Sequence, residues 1–458
     1  MTQTVTYLEA LQSRLGERVS TGRADLAQHA KDEGYPQTYL PDAVVYAESE
    51  QDVLAVLEIA RAHGVPVTPF AAGSSLEGNA LPVKGGISLD LSRMSRILSI
   101  DAPNFCATVE PGVLYRELSR QARPHGLFFA VDPGADCSLG GMASTCASGT
   151  AAVRYGTMRQ QVLSMRVALL DGRVLTLGSK ARKSSAGYDL KDLFIGAEGT
   201  LGIITELTVR LHPLPTFVAS ARSVFETVDA AVEAAVMVIG SGLHPERIEL
   251  VDAETVRAVN LYVGSAHPEL PTLWIEVAGS SRVELEGQLA LIGELCQDAG
   301  GSQFATASAE SERAELWAAR HNAYYALKRL FPDHTSQTTD VCVPISALPE
   351  AIAETERLAR ELDLHAPVMG HVGDGNFHVL LHAHPDDADA WARIGRMSEG
   401  MVAKAHALGG TCTGEHGVGL RKRKYLEAEY GSETVAVMRE VKALFDPQGL
   451  LNPGKILP

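Results

Sequence analysis

The chain is poor in cysteine, short of positive charge and without a long apolar run. Its six cysteines (Cys106, Cys137, Cys146, Cys296, Cys342, Cys412) are scattered and form no CxxC pair. That opposes a disulfide framework and a cysteine zinc site, and suits a reducing compartment such as the cytoplasm. Lys and Arg total 40 against 56 Asp and Glu, a net charge of −16. The one basic run, Arg421-Lys422-Arg423-Lys424, reads as a solvated helix start. This balance argues against nucleic acid as a partner. No apolar stretch reaches spanning length, so no transmembrane segment is expected. Met1-Thr2-Gln3-Thr4-Val5 resembles neither a signal nor a transit peptide. The Gly-Lys-Ser/Thr ending of a P-loop is absent. No G-x-G-x-x-G lies between a strand and a helix, so a Rossmann dinucleotide fold is not supported.

At 458 residues the chain exceeds one ordinary core, and two or three domains are expected. Its first part alternates strand and helix signals. Val44–Ala47, Val65–Thr68, Ile87–Leu91 and Ala107–Val109 read as strands. Ser49-Glu50-Gln51-Asp52 reads as a capping box opening a helix through Ala62, and Val113–Ala122 as a second helix. Gly134–Ala152 reads as a loop-rich segment, and Leu211-His212-Pro213-Leu214-Pro215 marks a boundary. Beyond it, strands are predicted at Arg247–Val251, Thr272–Val277, Asp340–Val343 and Val368–His382. Helices are predicted at Val283–Asp298, Glu310–Leu330 and Asp387–Leu408. This alternation predicts one antiparallel sheet with helices on one face. The expected class is α+β. Residues 1–215 would form a helical arm and two α/β subdomains, 216–410 a second domain, and 411–458 a C-terminal segment completing the site and the first domain, its end, Phe445–Lys455, turn-rich and returning there.

Three loops of the first domain are rich in small residues. One runs from Pro69 through Ala72, Gly73, Ser74, Ser75, Leu76 and Glu77 to Gly78. A second holds Pro133, Gly134, Ser138, Gly140, Gly141 and Ser144, and continues through Ser148 and Gly149 to Tyr155 and Gly156. The third holds Glu198, Gly199, Gly202, Ile203 and Ile204. Small residues let main-chain N–H groups converge on an anion, and serine hydroxyls add donors. Any one of these loops is as well explained by a tight turn. Three in one domain favour a phosphate-bearing cofactor.

Near the C-terminus, Gly370-His371-Val372-Gly373-Asp374-Gly375-Asn376-Phe377-His378 precedes Gly414-Glu415-His416-Gly417. His371, His378 and Glu415 make a two-imidazole, one-carboxylate set for a divalent metal (zinc, manganese or iron) with positions left open. His416 stands beside the carboxylate and is placed to move a proton. Gly373-Asp374-Gly375-Asn376 can bend the strand and bring both histidines inward, with Asp374 a turn residue. His382 and His384 read as ordinary surface or core histidines. A metal-dependent hydrolase without flavin, or a non-haem iron oxygenase, could use the same ligands, but neither accounts for the three glycine loops.

Taken in order, these motifs, with Thr339-Asp340-Val341-Cys342-Val343-Pro344 and Asn452-Pro453-Gly454-Lys455, give the chain a resemblance to a known family. It resembles the FAD-linked oxidases and dehydrogenases of the vanillyl-alcohol-oxidase type. Within them it is most similar to the D-lactate dehydrogenases that reduce a cytochrome, and to the FAD subunit of glycolate oxidases. The resemblance implies a PCMH-type FAD-binding domain, an α/β cap domain with an antiparallel sheet, and a C-terminal segment that completes the first. It implies FAD held by the three loops and by Asn452. The first loop has no histidine or cysteine, so the flavin would be non-covalent.

The resemblance further implies oxidation of a short D-2-hydroxy acid to the 2-oxo acid, with hydride passing to flavin N5. The metal would acidify the hydroxyl, His416 would take its proton, and Arg320 would hold the carboxylate by its planar fork. Electrons would pass to a non-nicotinamide acceptor: a cytochrome, a quinone or an electron-transfer protein. Relatives that oxidise 2-hydroxyglutarate carry a lysine at the place of Thr338 and an asparagine at the place of Leu380. Neither is present here, which favours D-lactate and similar apolar-tailed acids over that dicarboxylate and keeps glycolate in view. A homodimer and peripheral attachment to a membrane are both compatible with this picture.

Overall fold

The computed structural model describes residues 2–458. It divides into two compact units. One comprises the chain up to Ser148, Gly156–Leu214 and Glu415–Pro458; the other comprises Gly149–Tyr155 and Pro215–Gly414.

The first unit contains two main sheets. Helix Thr2–Leu15 buries Tyr7, Leu11 and Leu15, spaced four apart on one face. They join Val53, Val56, Leu57 and Ala60 of helix Glu50–His63 in one core. Ser49 caps that helix by accepting the Asp52 N–H, and Gly64 ends it at φ 65°, a left-handed stop that glycine reaches without strain. A four-stranded sheet runs in the order Val19–Ser20, Ala43–Tyr46, Ile87–Asp90, Val67–Phe70. Its last two pairings are parallel. Ile87–Asp90 is buried along its whole length, as a central parallel strand must be.

A five-stranded antiparallel sheet follows, in the order Ile97–Asp101, Cys106–Val109, Ile203–Arg210, Val162–Ala168, Val174–Gly178. The segment predicted to be loop-rich contains a helix, Leu139–Thr145. Its buried face is Leu139, Met142 and Ala143, and Ser138 caps it through the Gly141 N–H. Gly140 is required there because a Cβ would lie 2.5 Å from Pro111 Cβ. The helix predicted from Val113 begins at Tyr115. Leu114 stays extended and bridges Ser138.

The tail returns to the first sheet. Leu451 pairs in parallel with Val67, and the Asn452 N–H donates to the Val67 carbonyl at 2.8 Å. Asn452 Nδ2 then donates to the carbonyls of Asn79 and Glu198, fastening tail and third glycine loop together.

The second unit is built on one eight-stranded sheet in which all pairings are antiparallel. Strands Arg247–Val251 and Thr272–Gly279 and helices Arg282–Asp298 and Glu310–Leu330 lie where the sequence patterns predict them. The expected single strand from Val368 to His382 is instead a hairpin of Val368–His371 and Asn376–Ala383. Gly375 turns it at φ +79°, and a Cβ there would lie 1.9 Å from the Val343 carbonyl oxygen. The strand expected over Asp340–Val343 shrinks to Val341–Cys342. Asp340 leaves the ladder, its carboxylate accepting from Thr413 Oγ1 and the Gly414 N–H. Among the described residues, no helix is long and apolar enough to cross a membrane.

Candidate active site

In the second unit, the hairpin sets His371 at the end of one strand and His378 within the other. Their rings stand edge to face, centroids 5.4 Å apart. His371 Nδ1 lies 2.6 Å from Glu249 Oε1, and His378 Nδ1 lies 2.9 Å from the Thr339 carbonyl. Both partners are acceptors, so each Nδ1 carries the proton. That tautomer presents Nε2 lone pairs, as a divalent cation requires. The donor set of this unit therefore fits a metal. Asp374 is a turn residue, its N–H donating to the His371 carbonyl. His382 stacks on Phe331, its Nδ1 3.0 Å from Ser336 Oγ, and burial pushes its pKa down to about 4. It belongs to the core, while His384 is exposed.

Glu249 carries no obvious motif, and sequence reasoning missed it. It sits in strand Arg247–Val251 with a fully buried side chain. Arg320 Nε and Nη2 reach its Oε2 at 2.9 and 2.6 Å. Burial alone would raise the Glu249 carboxyl pKa; His371 and Arg320 outweigh it and hold the group below the usual range. One edge of the Arg320 fork, Nε and Nη2, is thus held by Glu249. The signal available in the sequence was a lone acid in the apolar run Ile248-Glu249-Leu250-Val251.

In the first unit, His416 lies between two carboxylates. Its Nδ1 is 3.5 Å from Glu77 Oε1, and its Nε2 is 3.9 Å from Glu415 Oε1. Glu415 is steadied by Ser148, whose Oγ donates to Oε2 at 2.9 Å. Glu77 was expected to cradle the cofactor, but its side chain is buried, 3.1 Å from Lys422 Nζ and 3.6 Å from Arg421 Nε. Burial opposes its ionisation; Lys422, His416 and Arg421 prevail and lower its pKa. The run Arg421 to Lys424 is accordingly not a solvated helix start. Lys422 is buried against Glu77, and Arg421 lies over the Tyr35 ring, because a buried carboxylate needs cations beside it.

Two cavities flank the first glycine loop. One of about 590 Å³ is lined by residues including Gln28, Lys31, Phe70, Ala72 and Gly73. The other, of about 360 Å³, is lined by Ala72, Ser92, Ser95, Gly112 and Ser138 among others. Ala72 is common to both. Among the described residues the N–H groups of Ala72, Gly73 and Ser74 find no protein acceptor, leaving consecutive donors along this rim. Small walls, hydroxyls and open amides fit the phosphate-bearing part of a dinucleotide. Gly73 takes φ +68°, and a Cβ there would press on Phe70 at 2.9 Å.

Other residues predicted to line the cofactor are engaged within the protein. Ser75 Oγ and the Gly78 N–H donate to Asp32, at 2.7 and 3.2 Å. Burial pushes the Asp32 pKa up to about 6. Ser74 Oγ donates to Cys137 Sγ, linking the first two loops. The Leu76 carbonyl crowds Gly34, and the Pro133 and Gly134 carbonyls accept from Tyr115 and Arg116. Ser144 Oγ bonds the Gly140 carbonyl. Tyr155 OH, in the second unit with Gly149, donates to Glu246 at 2.6 Å. Gly156 packs on Gln160, Gly199 on Pro69 and Gly202 on Val167. Ile203 and Ile204 are core residues. Glu198 accepts the N–H groups of Val418 and Gly419 at 2.7 and 3.1 Å, and burial raises its pKa despite them.

A family profile described as FAD linked oxidases, C-terminal domain, matches residues 214–456; another, FAD binding domain, matches residues 41–178. The chain is 44% identical to the probable mitochondrial D-lactate dehydrogenase of Danio rerio, over 96% of this chain and 89% of that one. It is 38% identical to the mitochondrial D-lactate dehydrogenase (cytochrome) of Arabidopsis thaliana, over 98% of this chain and 80% of that one. The solved structure of p-cresol methylhydroxylase with bound substrate shares the fold, with a TM-score of 0.83 at 16% identity, covering 100% of this chain and 97% of that one. The chain belongs to the family of FAD-linked oxidases.

Proposed function

We propose that the protein oxidises D-lactate, or a similarly short D-2-hydroxy acid, to the 2-oxo acid, with non-covalent FAD and a divalent metal. The observation that carries this reading is the pair of imidazoles on the hairpin, each with Nδ1 committed to an acceptor. FAD would be held by the first glycine loop and Ser138, and the metal by His371, His378 and Glu415. When bound, FAD supplies a two-electron acceptor, and the cation a Lewis acid that lowers the pKa of an alcohol.

The remaining work falls to side chains of this chain. His416 accepts the hydroxyl proton at Nε2, the nitrogen beside Glu415. Glu77, near Nδ1, orients the imidazole and steadies it once charged. Arg320, anchored on Glu249, supplies the cation that attracts the substrate carboxylate. Substrate size is inferred from an uncharged cross-strand pair. Thr338 and Leu380 face each other across strands Thr335–Thr338 and Asn376–Ala383, and Leu380 is buried. A second carboxylate placed there would lack a partner, at a cost of roughly several kcal/mol.

Electrons then leave for a non-nicotinamide acceptor. Scattered cysteines without a CxxC pair support a reducing, cytoplasmic location. Two relatives bear mitochondrial names, and cell fractionation distinguishes the compartments. The reading is tested by chelation. A divalent-metal chelator is expected to abolish D-lactate turnover while the protein stays yellow, with added metal restoring activity. Full turnover in metal-depleted enzyme would overturn the metal role.

A further inference from the structure

We propose that Glu249 is a positioning residue, whose one buried carboxylate sets both the metal-binding tautomer of His371 and the direction of Arg320. The inference rests on the reading of His371 as a metal ligand.

The sheet register provides the placement. Leu250 pairs with Gly370 and Val251 with Met369 in antiparallel strands, so Glu249 comes opposite His371. Directly opposed side chains share a face, and here they meet at 2.6 Å. The second carboxylate oxygen is taken by the Arg320 guanidinium from helix Glu310–Leu330. The two oxygens thus serve two groups with different tasks.

The chemistry requires a carboxylate. An imidazole that donates from Nδ1 to an anion keeps its lone pair on Nε2 and becomes a better ligand. A glutamine replaces one of the two acceptor oxygens by an amide donor, so it cannot present an acceptor at both positions taken by His371 and Arg320. A side chain with no exposure would be costly as a lone anion, and the two donors offset that cost. A purely structural role, tying the helix to the sheet, predicts lower stability without any selective change in metal affinity.

The test uses the full-length holoenzyme with Glu249→Gln and Glu249→Asp, beside wild type and His371→Ala. Zinc is titrated against a competing chelator, bound flavin is read by absorbance, and kcat and KM for D-lactate are measured. Glu249→Gln is expected to keep flavin and to bind zinc about 10–100-fold more weakly. Its kcat should fall when zinc is limiting and partly recover at high zinc, whereas KM should stay raised because Arg320 has lost its anchor. Glu249→Asp keeps the charge and should lie between; it carries the test if the glutamine variant does not fold. A wild type that holds zinc, with both variants binding it as tightly, overturns this inference alone. A wild type that holds no more metal than His371→Ala overturns the ligand reading, and this inference with it.

Discussion

His416, the proposed proton acceptor for the hydroxyl, has the buried Glu77 on one side and Glu415 on the other. His416→Ala should keep FAD and lower the rate of anaerobic flavin reduction by D-lactate about 10²–10⁴-fold. Stopped-flow absorbance measures this, and a normal rate would remove His416 from the reaction. A second residue-scale prediction concerns His382, whose pKa is pushed down to about 4 by burial, aided by His365, His334 and Lys328. The folded state resists its protonation and the unfolded state does not. Its contribution is therefore present above pH ~6.5 and is lost as pH falls toward 4. His382→Phe keeps a ring against Phe331 and removes the titration. The melting temperature of this variant, relative to wild type, should rise steadily from pH 7 to pH 4; a constant offset would refute the assignment. At this scale the sequence singled out the histidines and Glu415 as candidates, because their glycine-rich motifs are local. It did not reveal Glu249 as the partner of His371, or Lys422 as the partner of Glu77. Those pairs join distant segments, and only strand register or tail docking brings them together.

Among the elements, the long helices were the most legible. Glu310–Leu330 and Arg282–Asp298 have clear periodicity, and Glu50–His63 has a serine cap and a terminal glycine. The hairpin at His371–His378 was read as one strand because both halves are apolar and the turn is only a few residues long. The helix Leu139–Thr145 was hidden by glycines and serines, which its close packing on Pro111 demands. The tail was seen as turn-rich, but its fastening was not. Glu198 accepts the N–H groups of Val418 and Gly419, just beyond His416. Glu198→Ala should orphan both amides, costing about 1–3 kcal/mol each. Hydrogen exchange at Val418 and Gly419 should quicken in that variant, while Glu198→Gln, which keeps an acceptor, should change less. Equal protection in all three proteins would contradict the anchoring role.

Across the whole molecule, the family and the overall class were legible because spaced motifs cover most of the chain. Which groups touch the cofactor was less so. Several glycines expected to line it are also approached closely by Pro69, Pro111, Val167 or Gln160, since a tight backbone approach and an anion cradle use the same residues. Substrate choice is argued from residue type at one cross-strand pair: neither Thr338 nor Leu380 carries a charge. The most direct measurement of the central claim is anaerobic flavin bleaching on mixing with D-lactate, L-lactate, glycolate and D-2-hydroxyglutarate, before and after metal removal. Rapid bleaching by D-lactate is predicted, slower bleaching by glycolate, little by the other two, and none with D-lactate once the metal is gone. Preference for the L-enantiomer or the dicarboxylate, or undiminished bleaching without metal, would contradict the account.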